Sequence, residues 1–156
     1  GGAMPALAAV FENISTAKVA TSAAEAKDMY ILREGDAVTM NRKRVLADAK
    51  TKALKLAEGY QPPEQVEINL PGPTAAAAFD MAVQGFVTMG RATEYDAVVG
   101  AAVGRVLSGG DTDITQPITE KKMLQLEQEG FMSLLHNTKT LDRIEHMLTT
   151  GKPLRN

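Results

Sequence analysis

Residues 73–110 decide the fold, and they read PTAAAAFDMAVQGFVTMGRATEYDAVVGAAVGRVLSGG. Thr74 precedes an alanine-rich run that continues to Met89 and stops at a glycine. Thr93 precedes a second apolar run, which ends near Leu107 before a Gly-Gly pair. A hydroxyl residue before such a run and a glycine after it are typical start and stop signals of helices. The stretch therefore predicts two consecutive helices.

The second of these helices contains the small-residue pattern Gly100-Ala101-Ala102-Val103-Gly104. In a lipid-spanning helix this pattern would indicate dimerisation. In a helix outside a membrane, we expect it to allow close packing against the helix that carries Ala75–Ala78.

Further helical segments flank this pair. They run from Pro5 to about Ser15, from Ser22 over a short stretch, from Asn41 to Gly59, from Thr119 to about Leu135, and from Thr138 to Met147 or Leu148. Ser22 and Glu25 have the spacing of a capping box. Val66, Ile68 and Leu70 alternate with polar residues, as in a short extended arm. We therefore predict an all-α fold with about seven helices and at most one extended arm near residues 66–70.

The proline- and glycine-rich stretch 61–73 is the best candidate linker of the chain. It divides a helical segment at 5–60 from a C-terminal four-helix segment at 74–156. Residues 1–4, Gly-Gly-Ala-Met, are typical of the remnant of an expression tag, and we expect them to lie outside the natural sequence.

Composition limits the classes of function. The net charge of −2 disfavours a nucleic-acid partner, because such proteins usually carry a basic excess. The chain has no cysteine, which excludes disulfides, zinc–thiolate sites and cysteine nucleophiles. There is no secretory signal, and no apolar run approaches the ~20 residues of a membrane span. We expect a cytoplasmic protein.

Few residues are candidates for chemistry. His136 and His146 match no common metal motif, and we interpret both as structural or surface residues. Glu120 and Glu127 share a helical face near Glu129, but lysines stand beside them, which favours a solvated surface. No nucleotide-binding or nucleophile-elbow motif occurs. From the residues we assign no catalytic residue and no metal ligand.

The basic group Arg42-Lys43-Arg44 has two interpretations. It continues into Lys50, Lys52 and Lys55, and Asp48 precedes Lys52 by four residues, the spacing of a helix-stabilising ion pair. A solvated helix surface is the simpler interpretation. The functional alternative is contact with the phosphates of a nucleotide-containing ligand such as coenzyme A.

Several runs of the chain resemble one family. The runs are Ala17–Ala26, Met40–Arg42 with Leu46–Lys50, Gly59–Pro63, Leu107–Asp111, Glu120–Phe131, Lys139–Leu148 and the terminal Gly151-Lys152-Pro153-Leu154-Arg155-Asn156. They are similar to the end of bacterial 3-hydroxyacyl-CoA dehydrogenases that also carry an enoyl-CoA hydratase (crotonase-like) region. Two positions depart from the pattern: Tyr30-Ile31 replaces a Gly-Phe-like pair, and Gly130 stands where alanine is common.

The resemblance implies a helical tail of the crotonase-like region, which packs over the acyl-CoA site and contributes to subunit contacts. The oxyanion hole, the paired glutamates of hydratases and the Rossmann fingerprint all lie upstream of the matching runs, so no catalytic residue is carried over. NAD and an acyl-CoA substrate are implied for the parent enzyme of fatty-acid β-oxidation. The implied partners are the parent's upstream domains and further copies of the chain.

Two hypotheses follow. In the first, the chain is a lid or assembly element of such an enzyme, inactive alone, and its exposed apolar surface causes dimerisation or rearranged helices. In the second, it is a free-standing helical module that forms homo-oligomers, as its Ala- and Gly-rich helices would allow. Direct coenzyme A binding by the basic residues Arg42–Lys55 is a weaker third idea.

Overall fold

The computed structural model describes residues 4–156, so the predicted tag remnant falls almost wholly outside the described residues. Over this range the chain forms seven α-helices, one 3-10 turn and a two-stranded sheet. The helices are α1 (Met4–Ser15), α2 (Ala23–Asp28), α3 (Val45–Ala57), α4 (Pro73–Thr88), α5 (Glu94–Ser108), α6 (Glu120–Leu135) and α7 (Thr138–Thr150). The predicted all-α fold is confirmed.

The chain divides into two compact units. The first, here the main unit, comprises the chain up to Lys18 together with Val66–Asn156, and the second, the small unit, comprises Val19–Gln65. The predicted segment 5–60 is therefore shared between them, because α1 packs on α5 and α4.

The core of the main unit lies where α1, α4 and α5 meet. Phe11 of α1 stacks on Phe79 of α4 with 4.4 Å between ring centroids. Ala75, Val83 and Ala97 complete the buried cluster. Stacked aromatic rings contribute about 0.5–1.5 kcal/mol beyond the burial of their surface. This pair fixes α1 on the α4–α5 hairpin.

Close contact between α4 and α5 depends on two glycines. A Cβ atom at Gly100 would lie 2.9 Å from Val83 Cγ2, and one at Gly104 would lie 3.1 Å from Phe79 Cβ. Larger residues would push the helices apart, since the distance between helix axes follows the size of the side chains at the contact. The predicted close packing of the small-residue pattern against the alanine-rich helix is confirmed.

The extended arm is shorter than predicted and has a partner strand. Strand β1 (Glu67–Ile68) pairs antiparallel with β2 (Ile118–Thr119), and Ile68 lies opposite Ile118. The sequence predicted no strand at 118–119, because two residues before a helix carry too little alternation to be recognised. The sheet brings the linker stretch beside the start of α6.

Gly72 joins this arm to α4 at a position that only glycine can occupy. Its φ is +65°, and a Cβ atom there would lie 1.9 Å from the backbone oxygen of Thr112. The Gly72 N–H donates to the Ser108 carbonyl at 2.8 Å. The end of α5 and the start of α4 are thereby held together, and Pro73 occupies the first helical turn, where its missing N–H costs nothing.

Some predicted helix ends agree with the structure, and others differ. Gly72 rather than Thr74 caps α4, and α7 ends at Thr150 rather than at Met147 or Leu148. Asn137 rather than Thr138 caps α7, because the Asn137 side chain accepts from the Lys139 N–H. Asn41 caps the 3-10 turn Arg42–Arg44, so α3 begins only at Val45. The predicted capping box at Ser22 and Glu25 forms only in part. Ser22 Oγ accepts from the Glu25 N–H, but the Glu25 carboxylate accepts from the N–H of Thr21 instead of that of Ser22.

Tyr30 ends α2 in a left-handed conformation that usually belongs to glycine. Its φ is +61°. Its N–H donates to the Lys27 carbonyl, and the Ile31 N–H donates to the Ala26 carbonyl. These bonds form a Schellman motif, in which a residue with a Cβ atom is strained. The motif favours glycine at the position of Tyr30. This explains why the resembling family has a Gly-Phe-like pair where this chain has Tyr30-Ile31.

The glycine contact between α4 and α5 leads to a paired prediction. Gly104→Val should lower the free energy of unfolding by about 1–3 kcal/mol, because the added methyl groups meet Phe79 in a filled core. Gly85→Ala is the matched control, since no atom lies within 4 Å of its added Cβ. It should raise stability by about 0.5–1 kcal/mol through helix propensity. Urea unfolding followed by circular dichroism measures both; equal effects would contradict the packing role.

Candidate functional site

Thr93 and Asp96 begin the most connected polar cluster of the main unit. They form the capping box of α5: Thr93 Oγ1 accepts from the Asp96 N–H, and Asp96 Oδ2 accepts from the Thr93 N–H at 2.8 Å. The second carboxylate oxygen of Asp96 lies 2.8 Å from Nη1 of Arg143, on α7. A helix cap of α5 is therefore also the anchor of α7.

Tyr95 contacts the same cluster through its hydroxyl group and its ring. Its side chain is buried, and its hydroxyl group is hydrogen-bonded to the hydroxyl of Thr140. The guanidinium of Arg143 lies 4.9 Å from the centre of its ring. A cation at this distance is attracted by the negative face of an aromatic ring. Arg143 is thus held by a carboxylate and by a ring.

The terminal residues return along α7 to the cluster. Arg143 Nε donates to Asn156 Oδ1 at 2.8 Å, and Asn156 Nδ2 donates to the Lys139 carbonyl at 3.2 Å. From Lys139 to Gly151 the helix rises about 18 Å at 1.5 Å per residue. From Gly151 to Asn156 an extended chain covers about 17 Å. The tail is therefore almost fully extended antiparallel to α7.

The ionisation of Asp96 reflects these contacts. Burial raises the pKa of its carboxyl group, but the hydrogen bonds from Thr93 and the guanidinium of Arg143 outweigh burial. The net pKa lies below its ordinary value. The carboxylate, the guanidinium, the tyrosine hydroxyl and the terminal amide all have partners within the cluster. Its arrangement joins α5, α7 and the tail and presents no free nucleophile or base.

The pKa of Asp96 predicts an acid-sensitive junction. Because its pKa is depressed in the folded chain, its contribution is complete above the unfolded pKa of about 3.9 and is lost as the pH falls through the folded value. Lowering the pH from 7 to 3 should therefore begin to weaken this junction. Asp96→Asn should be less stable than the wild type at pH 7 and should lose less stability on acidification. Urea unfolding at both pH values tests this, and identical pH dependence of the two proteins would refute it.

The tail contacts predict a localised effect of Asn156. Asn156→Ala should weaken the attachment of the tail by about 1 kcal/mol, because it removes hydrogen bonds to Arg143 and Lys139. Faster amide hydrogen exchange in α7, with unchanged exchange in α4, is the expected result. Arg155→Ala is the control, since Arg155 is exposed beside it. If both variants change hydrogen exchange in α7 equally, Asn156 does not specifically hold the tail to α7.

A shallow groove of about 370 Å³ lies at the other end of α5. Ile118 and Leu126 form its apolar floor, and charged side chains form its rim. Arg105 donates to both carboxylate oxygens of Asp111, at 3.0 and 2.7 Å. This hydrogen-bonded pair lowers the pKa of Asp111 and raises that of Arg105. Lys122 and Glu129 also line the groove, so its charges alternate and largely neutralise one another.

The glutamates noted in the sequence do not form a carboxylate pair. In the described part of the chain, Glu129 lines the groove, whereas Glu120 and Glu127 are exposed on α6 and are not among the lining residues. The interpretation as a solvated surface therefore agrees with their exposure. Sequence reasoning missed the Arg105–Asp111 pair, because six residues and a helix end separate its members.

The basic group lies on the 3-10 turn before α3. Arg42, Lys43 and Arg44 are all exposed, and the Arg44 guanidinium lies 3.2 Å from the Asp48 carboxylate. The predicted pair of Asp48 with Lys52 is wrong. The Lys52 ammonium donates to the Gly35 carbonyl instead, because the loop before α3 passes along this side of the helix. Arg42 and Lys43 remain available to an anion.

One histidine follows the end of α6, and the other lies within α7. The ring Nδ1 of His136 lies 2.8 Å from the Met132 carbonyl at the end of α6, and His146 is half-buried on α7. Among the described residues, no group of three or more His, Asp or Glu side chains is placed to hold a metal ion. The helices described here are also too short or too polar to cross a lipid bilayer.

The residues present do not fit NAD. A dinucleotide-binding fold needs parallel strands, with a glycine-rich turn that places the pyrophosphate at a helix N-terminus. The sheet of the described residues is a two-stranded antiparallel pair. An acyl-CoA ligand would find exposed cations at Arg42 and Lys43, which are not among the residues that line the groove at the end of α5.

One curated protein is similar to the chain over almost its whole length. The chain is similar to part of a probable 3-hydroxyacyl-CoA dehydrogenase. The relative is from Bacillus subtilis, with 36% identity over 154 residues, and the match covers 98% of this chain. It covers only 20% of the dehydrogenase, so the chain spans about one fifth of its relative. No family model and no solved structure matches the chain.

Proposed function

We propose that this chain is the helical, non-catalytic C-terminal region of a 3-hydroxyacyl-CoA dehydrogenase that also carries an enoyl-CoA hydratase (crotonase-like) region. The observation that carries the proposal is the 36% identity along almost the whole chain. A match this long, through both units, is typical of a shared fold rather than of a short motif. The proposed enzyme acts in cytoplasmic fatty-acid β-oxidation and uses NAD and acyl-CoA.

The role proposed for the chain within the enzyme is that of a lid and assembly element. The polar cluster of the main unit supports this role, because Asp96, Arg143 and Asn156 bind one another and hold α5, α7 and the tail together. Exposed apolar side chains support it as well. Leu124 and Phe131 on α6, and Leu141 and Leu148 on α7, are each at least half exposed. Exposed apolar patches mark interaction surfaces.

A contact with the phosphates of coenzyme A is the proposed role of Arg42, Lys43 and Arg44. The exposure of all three side chains supports this contact. Arg44 is the weakest candidate for binding phosphate, because its guanidinium already pairs with Asp48. Calorimetric titration of the chain with coenzyme A tests the contact. An absence of binding heat would remove it for the chain alone.

A complementation experiment tests the main proposal. Three samples are assayed for NAD reduction by a 3-hydroxyacyl-CoA and for hydration of a 2-enoyl-CoA: this chain, the Bacillus subtilis dehydrogenase without its matching segment, and their mixture. We expect no turnover by the chain alone and higher activity in the mixture than in the shortened enzyme. Turnover by the chain alone, or a mixture no more active than the shortened enzyme, would contradict the proposal.

The alternative function is a free-standing helical module that forms homo-oligomers. The exposed apolar residues of α6 and α7 favour it, because a second copy would cover them. Sedimentation at several concentrations separates the two proposals when it is combined with the activity assay. Self-association without complementation supports the module, and complementation supports the enzyme region.

A further inference from the structure

One side of α3 has the apolar spacing of a packed helix but packs on nothing. Leu46, Ala49, Ala53 and Leu56 recur at steps of three and four residues, which places them on one side of the helix. We name these four residues the outer face of α3. All four are exposed, with Leu46 at 83% and Leu56 at 62% of their full accessibility.

A row of charged residues beside the outer face contacts the rest of the small unit. Thr39 donates from its hydroxyl to the Asp48 carboxylate at 3.2 Å, and Lys52 donates to the Gly35 carbonyl at 3.2 Å. Asp48 and Lys52 are also the two residues of α3 that are half-buried, while all its other residues are exposed. The helix is therefore attached to its own chain through Asp48 and Lys52, and the outer face beside them stays uncovered.

The small unit has no core that could cover this face. Between Val19 and Gln65, the buried apolar residues are Ala26 and Met29, and both belong to the end of α2. An amphipathic helix is stabilised mainly by burial of its apolar stripe against another element. The outer face of α3 is thus suited to a surface outside the small unit.

Charge indicates what kind of surface this is. Residues 41–57 contain six Lys or Arg residues against one Asp. In the described part of the chain, the side chains of Arg42, Lys43, Lys50 and Lys55 have no ion pair or hydrogen bond. A second copy of α3 on this face would bring like charges together, whereas a partner rimmed by carboxylates would neutralise them.

The side chains of the face favour a protein over a lipid surface. Helices that lie in a membrane interface usually insert bulky Trp, Phe or Leu side chains. The outer face of α3 has two alanines between its two leucines and contains no aromatic residue. Alanine allows another helix or strand to approach closely, because the separation of packed helices decreases with side-chain size.

We propose that the outer face of α3 docks into an apolar groove rimmed by carboxylates on the part of the dehydrogenase that this chain does not span. The inference rests on the proposed function and names the contact through which it acts. This chain matches 20% of the Bacillus subtilis relative, so ample polypeptide remains there to form such a groove. Recognition of an amphipathic helix by an apolar groove is a common binding mode.

Binding measurements with the complete 156-residue chain test the proposal. The probe is the Bacillus subtilis dehydrogenase without its matching segment, titrated into fluorescently labelled chain. The double variant Leu46→Asp/Leu56→Asp should bind at least about tenfold more weakly, because it places charge in the buried centre of the contact. Met81→Asp is the matched control, since Met81 is 75% exposed on α4 of the main unit, and it should bind like the wild type.

The electrostatic part has its own variant. Lys50→Glu should weaken binding several-fold and make it less sensitive to salt, because Lys50 borders the outer face and faces the proposed carboxylates. Lys121→Glu, an exposed lysine of α6, is the control and should leave affinity unchanged. If the two lysine variants bind with equal affinity, the proposal that carboxylates surround the groove is wrong. Circular dichroism should show the helix content of the wild type in every variant.

Each outcome separates the docking proposal from the function on which it rests. Failure of the wild-type chain to bind the probe would overturn both. Equal binding by the wild type and the leucine double variant would overturn docking through α3 and leave the proposed function standing. If the double variant instead abolishes dimerisation or binding to phosphatidylglycerol vesicles while it still binds the probe, the face serves a second copy or a membrane, and the proposal is wrong.

Discussion

The contact of α5 with α4 through Gly100 and Gly104 is the constraint on which the main unit depends. Because neither glycine has a Cβ atom, Val83 and Phe79 lie directly on the backbone of α5. The approach creates the pocket in which Phe11 stacks on Phe79, and so determines where α1 lies. The ends of the same helix then organise the rest. Its last residue, Ser108, accepts from Gly72, and its N-terminal cap anchors α7.

Polar interactions of the Asp96 cluster hold parts of the main unit together. Asp96 satisfies the first turn of α5 and also binds Arg143, which in turn holds Asn156. Shared partners of this kind make the loss of one member costly, because the remaining groups stay partly buried without hydrogen bonds. The terminal hexapeptide, which carries much of the family resemblance, thereby has a physical role. It fastens an extended tail along α7.

The small unit has the opposite character. Its longest helix is bound to its own chain through Asp48 and Lys52, and its leucines are exposed. A unit that buries only Ala26 and Met29 gains little stability from its own packing, since burial of apolar surface is the dominant favourable term in folding. This organisation fits a region that completes its packing on a larger protein, as the proposed place in a dehydrogenase requires.

The sequence by itself determined the helices and some of their ends, because caps, glycine stops and apolar spacing act over a few residues. It also predicted the close approach at Gly100–Gly104, since small residues on one face have few other uses in such a helix. Only the tertiary structure decided that Asp48 pairs with Arg44, that Arg143 binds Asp96 and Asn156, and that the apolar side of α3 faces outward. These depend on which distant segments meet and on how each helix is rotated. Local propensity does not contain that information, because an amphipathic stripe specifies that a helix must pack but not against what.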